Sequence, residues 1–175
     1  MPRAPTQQQL EALAARVATS LLAHGQTLAT AESCTGGWVG QVLTAIAGSS
    51  VWYERGFITY SNAAKVDDLG VPVAVLDTHG AVSEATAVAM AQGVLANSRA
   101  DWGLAITGIA GPTGGTPGKP VGTVCFAWAH GDRPAVTATH RFPGDRAAVR
   151  VQAVAVALQG LIEQLEPSLS RPGTS

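Results

Sequence analysis

Strand-like segments alternate with segments of helical spacing along most of this chain, and that alternation limits the folds it can adopt. Strands are predicted at 26–31, 56–60, 102–107, 121–129 and 135–142, and helices at 8–23, 38–46, 61–69, 83–98 and 145–165. Such alternation is typical of a sheet covered by helices on both faces. The last two strands adjoin, which indicates an antiparallel hairpin in a sheet otherwise linked by crossovers. We therefore predict an α/β fold, a three-layer α/β/α sandwich with a mixed, mostly parallel sheet.

The size and composition of the chain favour one domain around one sizeable core. Of its 175 residues, 46% are hydrophobic and 13% are charged, and neither an internal repeat nor a linker divides them. A single domain is predicted over 1–166. The tail at 167–175 is rich in Pro, Gly, Ser and Thr, and we predict that it is disordered.

Charge and cysteine content exclude several classes of function. Eleven Lys and Arg against twelve Asp and Glu give a net charge of −1 without a basic block, so a nucleic-acid partner is not expected. The N-terminus lacks a signal pattern, and no apolar run approaches the ~18 residues that span a bilayer. We therefore expect a cytoplasmic protein without a membrane partner. Cys34 and Cys125 lack metal-ligand spacing, which predicts two buried free thiols and neither a zinc site nor a disulfide.

Three loops carry small or polar residues directly after predicted strands. They span 32–37, 60–65 and 107–119. In open α/β sheets, ligands bind outside the carboxyl ends of the strands. The three loops are therefore predicted to converge on one pocket.

Ser33, in the first loop, is a candidate nucleophile. A serine where a strand turns into a helix can expose its hydroxyl among unpaired backbone amides, which suits both a nucleophile and an oxyanion. Gly36 and Gly37 would let the backbone approach a ligand closely. Ordinary helix capping explains the same residue types, so this loop alone leaves both interpretations open.

Lys65 is the candidate base for that serine. The four histidines show no Ser-His-Asp pattern, and Lys65 is one of only two lysines in the chain. A buried lysine has a lowered pKa and can take the proton of a serine, as in Ser-Lys variants of the triad. A solvated surface charge is the alternative interpretation.

The third loop has the composition of an anion site. Its glycines offer many backbone amides, and Lys119 adds a charge, but the loop fits neither GxxxxGK[ST] nor GxGxxG after a strand. A flexible surface loop is the alternative. Arg141, at a strand end, and Arg146, near a helix start, are further candidates to meet a phosphate, or they are simply exposed.

Five sequence words together resemble the CinA C-terminal domain family. They are AESCTGG at 31–37, ERGFITYSN at 54–62, HGAVS at 79–83, TGIAGP at 107–112 and KPVGTV at 119–124. They occur in the family's order, and the resemblance runs from about Gln8 to Leu165. Several long words in fixed order are far more specific than any single motif.

The resemblance implies hydrolysis of the carboxamide of nicotinamide mononucleotide to nicotinate mononucleotide and ammonia, a step of pyridine nucleotide (NAD) recycling, with no metal or organic cofactor. It implies Ser33 as nucleophile, Lys65 as general base, and Tyr60 as a residue that orients Lys65 or relays a proton. The implied substrate-binding residues are Thr35, Gly36 and Gly37 around the oxyanion, and Thr107, Gly108, Ile109, Ala110, Gly111 and Arg141 around ribose and phosphate.

Other interpretations remain open at this point. One is a non-catalytic module that senses pyridine nucleotides and is linked to competence or DNA damage, and another is amide hydrolysis of a different substrate. Longer family members carry an N-terminal pyrophosphatase domain, and since nothing precedes the first helix here, that activity is expected to be absent. An Ala- and Gly-rich surface helix suggests a homodimer. Four aromatic residues are available either for stacking on a pyridine ring or for the core: Trp38, Trp52, Tyr53 and Phe57.

Overall fold

The computed structural model describes residues 3–131 and 133–166, so the tail predicted to be disordered, 167–175, lies outside the described residues. The helices are α1 (Gln7–His24), α2 (Trp38–Thr44), α3 (Asn62–Leu69), α4 (Val73–His79), α5 (Glu84–Ala96) and α6 (Arg146–Leu165). The strands are β1 (Leu28–Glu32), β2 (Tyr53–Ile58), β3 (Trp102–Gly108), β4 (Thr123–His130) and β5 (Val136–Arg141). One 3₁₀ turn spans Ser49–Val51.

The strands form one five-stranded sheet in the order β2-β1-β3-β4-β5. β1 runs parallel to both β2 and β3, whereas β4 runs antiparallel to both β3 and β5. Four of the five strands therefore point the same way, and the predicted mixed, mostly parallel sheet with a β4–β5 hairpin is confirmed. The ends of β1, β2, β3 and β5 meet at one edge of the sheet, here called the carboxyl edge.

The two faces of the sheet carry side chains of different size. Large residues face the layer formed by α1, α2 and α6, among them Leu28, Leu104, Ile106, Phe126 and Trp128. Small residues face α5 and its neighbours, among them Ala29, Ala31, Ala105, Ala127 and Ala129. Because side chains alternate between faces along a strand, these two sets are interleaved in sequence. The sheet thus separates two apolar clusters, and the three-layer prediction is confirmed.

The small-residue face lets α5 approach the sheet closely. A methyl group at Gly103 would lie 2.6 Å from the carbonyl oxygen of Ala91 on α5, and one at Gly93 would lie 2.1 Å from the carbonyl oxygen of Leu69 on α3. The alanines of α5 therefore largely pack against the protein's own sheet and neighbouring helices. The predicted homodimer stays a prediction, but the helix from which it was inferred packs against its own sheet.

Element boundaries differ from the prediction mainly around the second loop. β2 begins at Tyr53 because it pairs with β1 from Leu28 onward, and it ends at Ile58, so Tyr60 lies beyond the strand. The short helix α4 was not predicted, since Leu76 is its one buried side chain and no apolar period marks it. Ser83 is the N-cap of α5, where its hydroxyl accepts from the amide of Thr86, and this agrees with the predicted start of that helix at 83.

Both cysteines are buried and free, as predicted. Within the described ranges, no helix is both long and apolar enough to cross a bilayer. In the same part of the chain, no group of three or more His, Cys, Asp or Glu residues is placed to hold a metal ion.

Candidate active site

Ser33 follows the last residue of β1 and begins the turn into α2. Its amide donates to the carbonyl of Ile106 on β3 at 3.0 Å, which ties the start of the turn to the carboxyl edge. Gly36 and Gly37 continue the turn with φ angles of 58° and 99°, values that side chains disfavour. The turn that these glycines permit leaves Ser33 buried but lining a pocket.

Lys65 reaches Ser33 from the middle of α3. Its Nζ lies 3.1 Å from Ser33 Oγ and donates to the carbonyl of Thr59 at 2.7 Å. The side chain is 1% exposed, so Lys65 is not a solvated surface charge. Burial lowers the pKa of the amine below its usual value of 10.5, because desolvation disfavours the ammonium form.

The cap of α3 places Lys65. Ser61 accepts from the amide of Ala64 at 3.0 Å and starts the helix immediately after the second loop. Lys65 lies one turn later, and α3 ends at Leu69 against α5. The Ser61 cap thus starts the helix that carries Lys65 directly after the second loop.

The pocket that contains this pair has a volume of about 160 Å³. It is lined by residues of all three predicted loops, of the segment before α5 and of the start of α6: Ser33, Cys34, Tyr60, Lys65, Ala81, Val82, Thr107, Gly108, Ala110 and Arg146. The predicted convergence of the loops is confirmed. Small-molecule sites usually enclose about 300 Å³ or more, so this pocket would enclose one end of a ligand of that size and leave the rest at its rim.

Tyr60 lines the pocket but does not contact Lys65 through its hydroxyl. That hydroxyl accepts from Nη2 of Arg146 at 3.0 Å, and the side chain is 62% exposed. The carbonyl of Thr59, rather than Tyr60, orients the amine. Tyr60 therefore belongs to the rim together with Arg146.

The amides at the start of α2 are largely occupied. The carboxylate of Glu32 accepts from Val39 at 2.9 Å and from Gly40 at 3.1 Å, and the amide of Gly36 donates to the carbonyl of Ser33. Within the described residues, the amides of Cys34, Thr35 and Gly37 donate to no protein acceptor. The free amides of the turn are therefore the ones available to an oxyanion on a group attached to Ser33. The amides of Val39 and Gly40 in the first turn of α2 donate to the Glu32 carboxylate instead.

The predicted substrate-binding residues divide into two groups. Thr107, Gly108 and Ala110 line the pocket, whereas Thr35, Gly36, Gly37, Ile109, Gly111 and Arg141 do not. Gly111 still contacts the rim, because its carbonyl accepts from Arg146 at 3.0 Å. Arg141 ends β5, two strands from β3, whereas Arg146, at the start of α6, lines the pocket.

Loop residues beyond Gly111 stay outside the pocket. Residues 112–118 are exposed, and the amine of Lys119 donates to the carbonyl of His79. The loop is thus attached to the end of α4. Although this part of the loop has the composition of an anion site, it does not line the pocket that contains Ser33.

Cys34 neighbours Ser33 in the pocket, and burial raises the pKa of its thiol to about 12. A thiol with that pKa is protonated at neutral pH, and the thiolate is the reactive form. Cys34 therefore forms part of the pocket wall with its thiol protonated, and Ser33 stays the candidate nucleophile.

A second hollow among the described residues lacks this chemistry. It is larger, at about 280 Å³, and it lies between β5 and α6, where it is lined by Trp128, Val136, His140 and Glu163, among others. Its described lining contains no serine, cysteine or lysine. None of the four histidines and none of the four aromatic residues considered for stacking is among the residues that line the Ser33 pocket.

Some site residues were not identified from sequence. Ala81 and Val82 line the pocket, and Arg150 on α6 donates to the carbonyls of Cys34 and Thr35. Helical spacing carries a usable signal for Arg150, because it lies four residues after Arg146 and therefore on the same face of α6. The segment before α5 carries no chemical signal, since it contributes apolar wall alone.

A family model described as the CinA C-terminal domain matches residues 10–165. The chain belongs to this family. Among CinA C-terminal domain relatives, the Nicotinamide-nucleotide amidohydrolase PncC of Escherichia coli K12 is 54% identical over 159 residues, which cover 91% of this chain and 96% of the relative. The protein of the same name from Pseudomonas putida is 46% identical over 151 residues, covering 86% and 94%.

Solved structures of the CinA family share the same fold. The competence/damage inducible protein CihA of Agrobacterium tumefaciens superposes with a TM-score of 0.87 at 44% identity, covering 94% of this chain and 99% of that one. Because relatives named as amidohydrolases match nearly end to end at such identity, the chain is an amidohydrolase of the CinA C-terminal domain family.

Proposed function

We propose that this protein hydrolyses the carboxamide of nicotinamide mononucleotide, giving nicotinate mononucleotide and ammonia, with Ser33 as nucleophile and Lys65 as general base. The observation that carries the mechanism is the 3.1 Å approach of the Lys65 amine to Ser33 Oγ in a buried site. The substrate is inferred from relatives that bear the name nicotinamide-nucleotide amidohydrolase. We propose further that the reaction returns nicotinamide mononucleotide to NAD synthesis.

The lowered pKa of Lys65 suits it to take a proton from serine. A neutral amine has a free lone pair, and its N–H is already directed to Thr59, so the lone pair is available to Ser33 Oγ–H. As Oγ attacks the carboxamide carbon, the proton moves to Nζ and the carbonyl oxygen becomes an oxyanion. The free amides of the turn after Ser33 stabilise that charge.

Collapse of the tetrahedral intermediate breaks the C–N bond. Lys65 returns the proton to the leaving nitrogen, ammonia departs, and an ester joins the nicotinoyl carbon to Ser33. Water then attacks the ester with Lys65 again as base, and cleavage of the C–O bond restores Ser33 and releases the carboxylate. Each step uses the same proton acceptor, so no histidine is required.

The rim supplies a cation for the phosphate. Arg146 lines the pocket and holds the loops of Tyr60 and Gly111 together through two hydrogen bonds of 3.0 Å. A guanidinium is well suited to a phosphate, because its planar fork donates to two oxygens at once. The pyridine carboxamide would lie at Ser33 and the ribose phosphate would extend toward Arg146.

The deciding experiment incubates wild type, Ser33→Ala and the exposed-serine control Ser50→Ala with nicotinamide mononucleotide, without added metal. Ammonia and nicotinate mononucleotide are measured together, and substrate binding is measured by calorimetry. We expect equimolar products from wild type and Ser50→Ala, and binding without products from Ser33→Ala. Full turnover by Ser33→Ala would exclude the serine mechanism.

Two alternative functions give different outcomes in the same experiment. Tight binding of nicotinamide mononucleotide by wild type without ammonia release would indicate a pyridine-nucleotide sensor. Faster ammonia release from nicotinamide riboside or from nicotinamide would indicate a substrate without phosphate.

Resistance of wild-type activity to iodoacetamide is expected as well, because the Cys34 thiol is protonated.

A further inference from the structure

Arg150 contacts the turn that follows Ser33 through two nitrogens of its guanidinium group. Its Nε donates to the carbonyl of Cys34 at 3.0 Å, and its Nη2 donates to the carbonyl of Thr35 at 3.2 Å. The guanidinium also lies over the ring of Trp38, with 5.4 Å between its carbon and the ring centroid. Within the described residues it forms no salt bridge, so the fork is committed to two backbone carbonyls.

These two contacts fix the orientation of two successive peptide planes. In a trans peptide the carbonyl of one residue and the amide N–H of the next lie in one plane and point in opposite directions. With the carbonyl of Cys34 turned toward Arg150, the N–H of Thr35 is turned away from it. The Thr35 carbonyl is held in the same way, and the Gly36 amide beyond it closes the turn onto the Ser33 carbonyl.

The turn has few amides left for an oxyanion. Glu32 accepts the amides of Val39 and Gly40, and Trp38 donates to the carbonyl of Thr35. The amides of Cys34 and Thr35 adjoin the nucleophile and donate to no acceptor within the described residues. The amide of the residue after a nucleophilic serine is a common oxyanion donor in hydrolases.

We propose that Arg150 is a positioning residue. By gripping the carbonyls of Cys34 and Thr35, it fixes the Thr35 amide directly, and it fixes the Cys34 amide through the hydrogen bond from the Gly36 amide to the Ser33 carbonyl, so that both amides can receive the oxyanion. Arg150 touches no reacting atom, and its effect passes through the turn. This inference rests on the proposed serine mechanism and adds to it the origin of the oxyanion donors. A lysine could not replace the arginine fully, because a point donor cannot fork to two carbonyls.

Kinetics with nicotinamide mononucleotide distinguish positioning from a general structural role. We expect Arg150→Ala to lower kcat by about 10- to 100-fold, less than the largest losses known for removing an oxyanion donor, with KM changed by less than about threefold. The pH dependence of kcat should keep its midpoint, since Lys65 is untouched. Added guanidinium ion should restore part of kcat to Arg150→Ala, whereas Arg150→Lys should remain impaired.

Controls exclude unfolding as the cause. Arg16→Ala removes an arginine that bridges Glu166 at the surface and should keep wild-type kcat. Urea unfolding of each variant confirms that the assays contain folded protein. An unchanged kcat in Arg150→Ala, full activity in Arg150→Lys, or a loss that guanidinium cannot restore in folded protein would each overturn the proposal.

A second readout does not depend on the substrate. A fluorophosphonate reacts when Ser33 Oγ attacks phosphorus and fluoride leaves, with the serine proton passing to Lys65 and the phosphoryl oxygen occupying the oxyanion position. We expect intact-mass analysis to show slower labelling of Ser33 in Arg150→Ala than in wild type and Arg16→Ala. If wild type failed to hydrolyse nicotinamide mononucleotide, this rate would still decide: equal labelling, or none at Ser33, would overturn the proposal.

Discussion

Lys65 lies in a pocket that gives its amine one hydroxyl and one carbonyl as partners and, within the described residues, no carboxylate. Burial therefore acts without the compensation that an ion pair would provide, and the pKa of the amine falls. The catalytic consequence depends on protonation: only the neutral amine accepts the Ser33 proton.

The rate should accordingly rise with pH. Below the lowered pKa of Lys65 the amine is charged and inactive, and above it the amine is neutral, so kcat/KM for nicotinamide mononucleotide should increase through that pKa and then level off. The midpoint is expected below 10.5, the usual value for lysine. Lys65→Met should remove both the activity and the dependence. Loss of activity as pH rises through this range would contradict the assignment of Lys65 as base.

Arg146 and Arg141 are expected to differ in their effect on binding. Arg146 lines the pocket and Arg141 does not, so Arg146→Ala should raise KM by about 10- to 100-fold, the loss expected for a charge-assisted hydrogen bond, while kcat changes less. Arg141→Ala should raise KM less than Arg146→Ala. Steady-state kinetics with both variants and Arg16→Ala as control provide the test. A larger KM effect at Arg141 would assign the phosphate to the end of β5.

Sequence reasoning predicted residues with distinctive chemistry and missed residues that act through geometry. Ser33 and Lys65 stood out because a serine at a turn and a rare lysine suggest a reaction, and the structure brings both into one pocket. Whether Lys65 was buried could not be read from the chain, since its burial depends on packing of α3 against α5. For Arg150, the spacing of four residues from Arg146 predicts only a shared face of α6, and its contacts with backbone carbonyls leave no side-chain pattern in a sequence.

The helices α3 and α5 are held at a distance that only glycine permits. Gly93 on α5 faces the last residue of α3, and α3 carries Lys65 one turn earlier. A helix interior normally gains up to about 1 kcal/mol when glycine becomes alanine. Here the added methyl would meet a backbone oxygen at 2.1 Å, which no side-chain rotation can relieve.

Gly93→Ala should therefore lower both stability and activity. We expect a loss of about 1–3 kcal/mol in the free energy of unfolding, typical of overpacking, and a lower kcat because α3 shifts Lys65 relative to Ser33. Urea unfolding and steady-state kinetics measure the two effects. Gln92→Ala, at the neighbouring exposed position, is the matched control and should change neither. A more stable and fully active Gly93→Ala would show that α3 and α5 are not in close contact.

Elements with strong local signals were predicted and those without them were not. The helices α1 and α6 carry a clear helical period, and the strands β3 and β4 are short, mostly apolar runs. The caps Ser83 and Asp145 mark helix starts in the sequence. The bounds of β2 depend on its pairing with β1, and α4 has too few buried residues for a pattern. Both depend on tertiary contacts that no window of sequence contains.

At the scale of the whole molecule, one sheet supports both apolar clusters, so damage to either should weaken the same cooperative unit. Leu104→Ala removes buried volume from the cluster under α6, and Met90→Ala does so under α5. Each should cost about 2–5 kcal/mol and lower a single unfolding transition. Calorimetry and circular dichroism should report coincident midpoints. Two separate transitions would contradict the prediction of one domain over 1–166.

The unequal faces of the sheet also bear on how this protein can vary. Along β4, Phe126 and Trp128 alternate with Cys125, Ala127 and Ala129, so neighbouring positions experience opposite size limits. A larger residue at an alanine would push α5 off the sheet, and a smaller one at an aromatic position would leave a cavity. In a saturation library, the permitted volumes along this strand should therefore oscillate with a period of two. A larger or a smaller side chain on this strand would require a compensating substitution on the helix that packs against it. Sequence divergence is therefore restricted more at the centre of the molecule than at its rim.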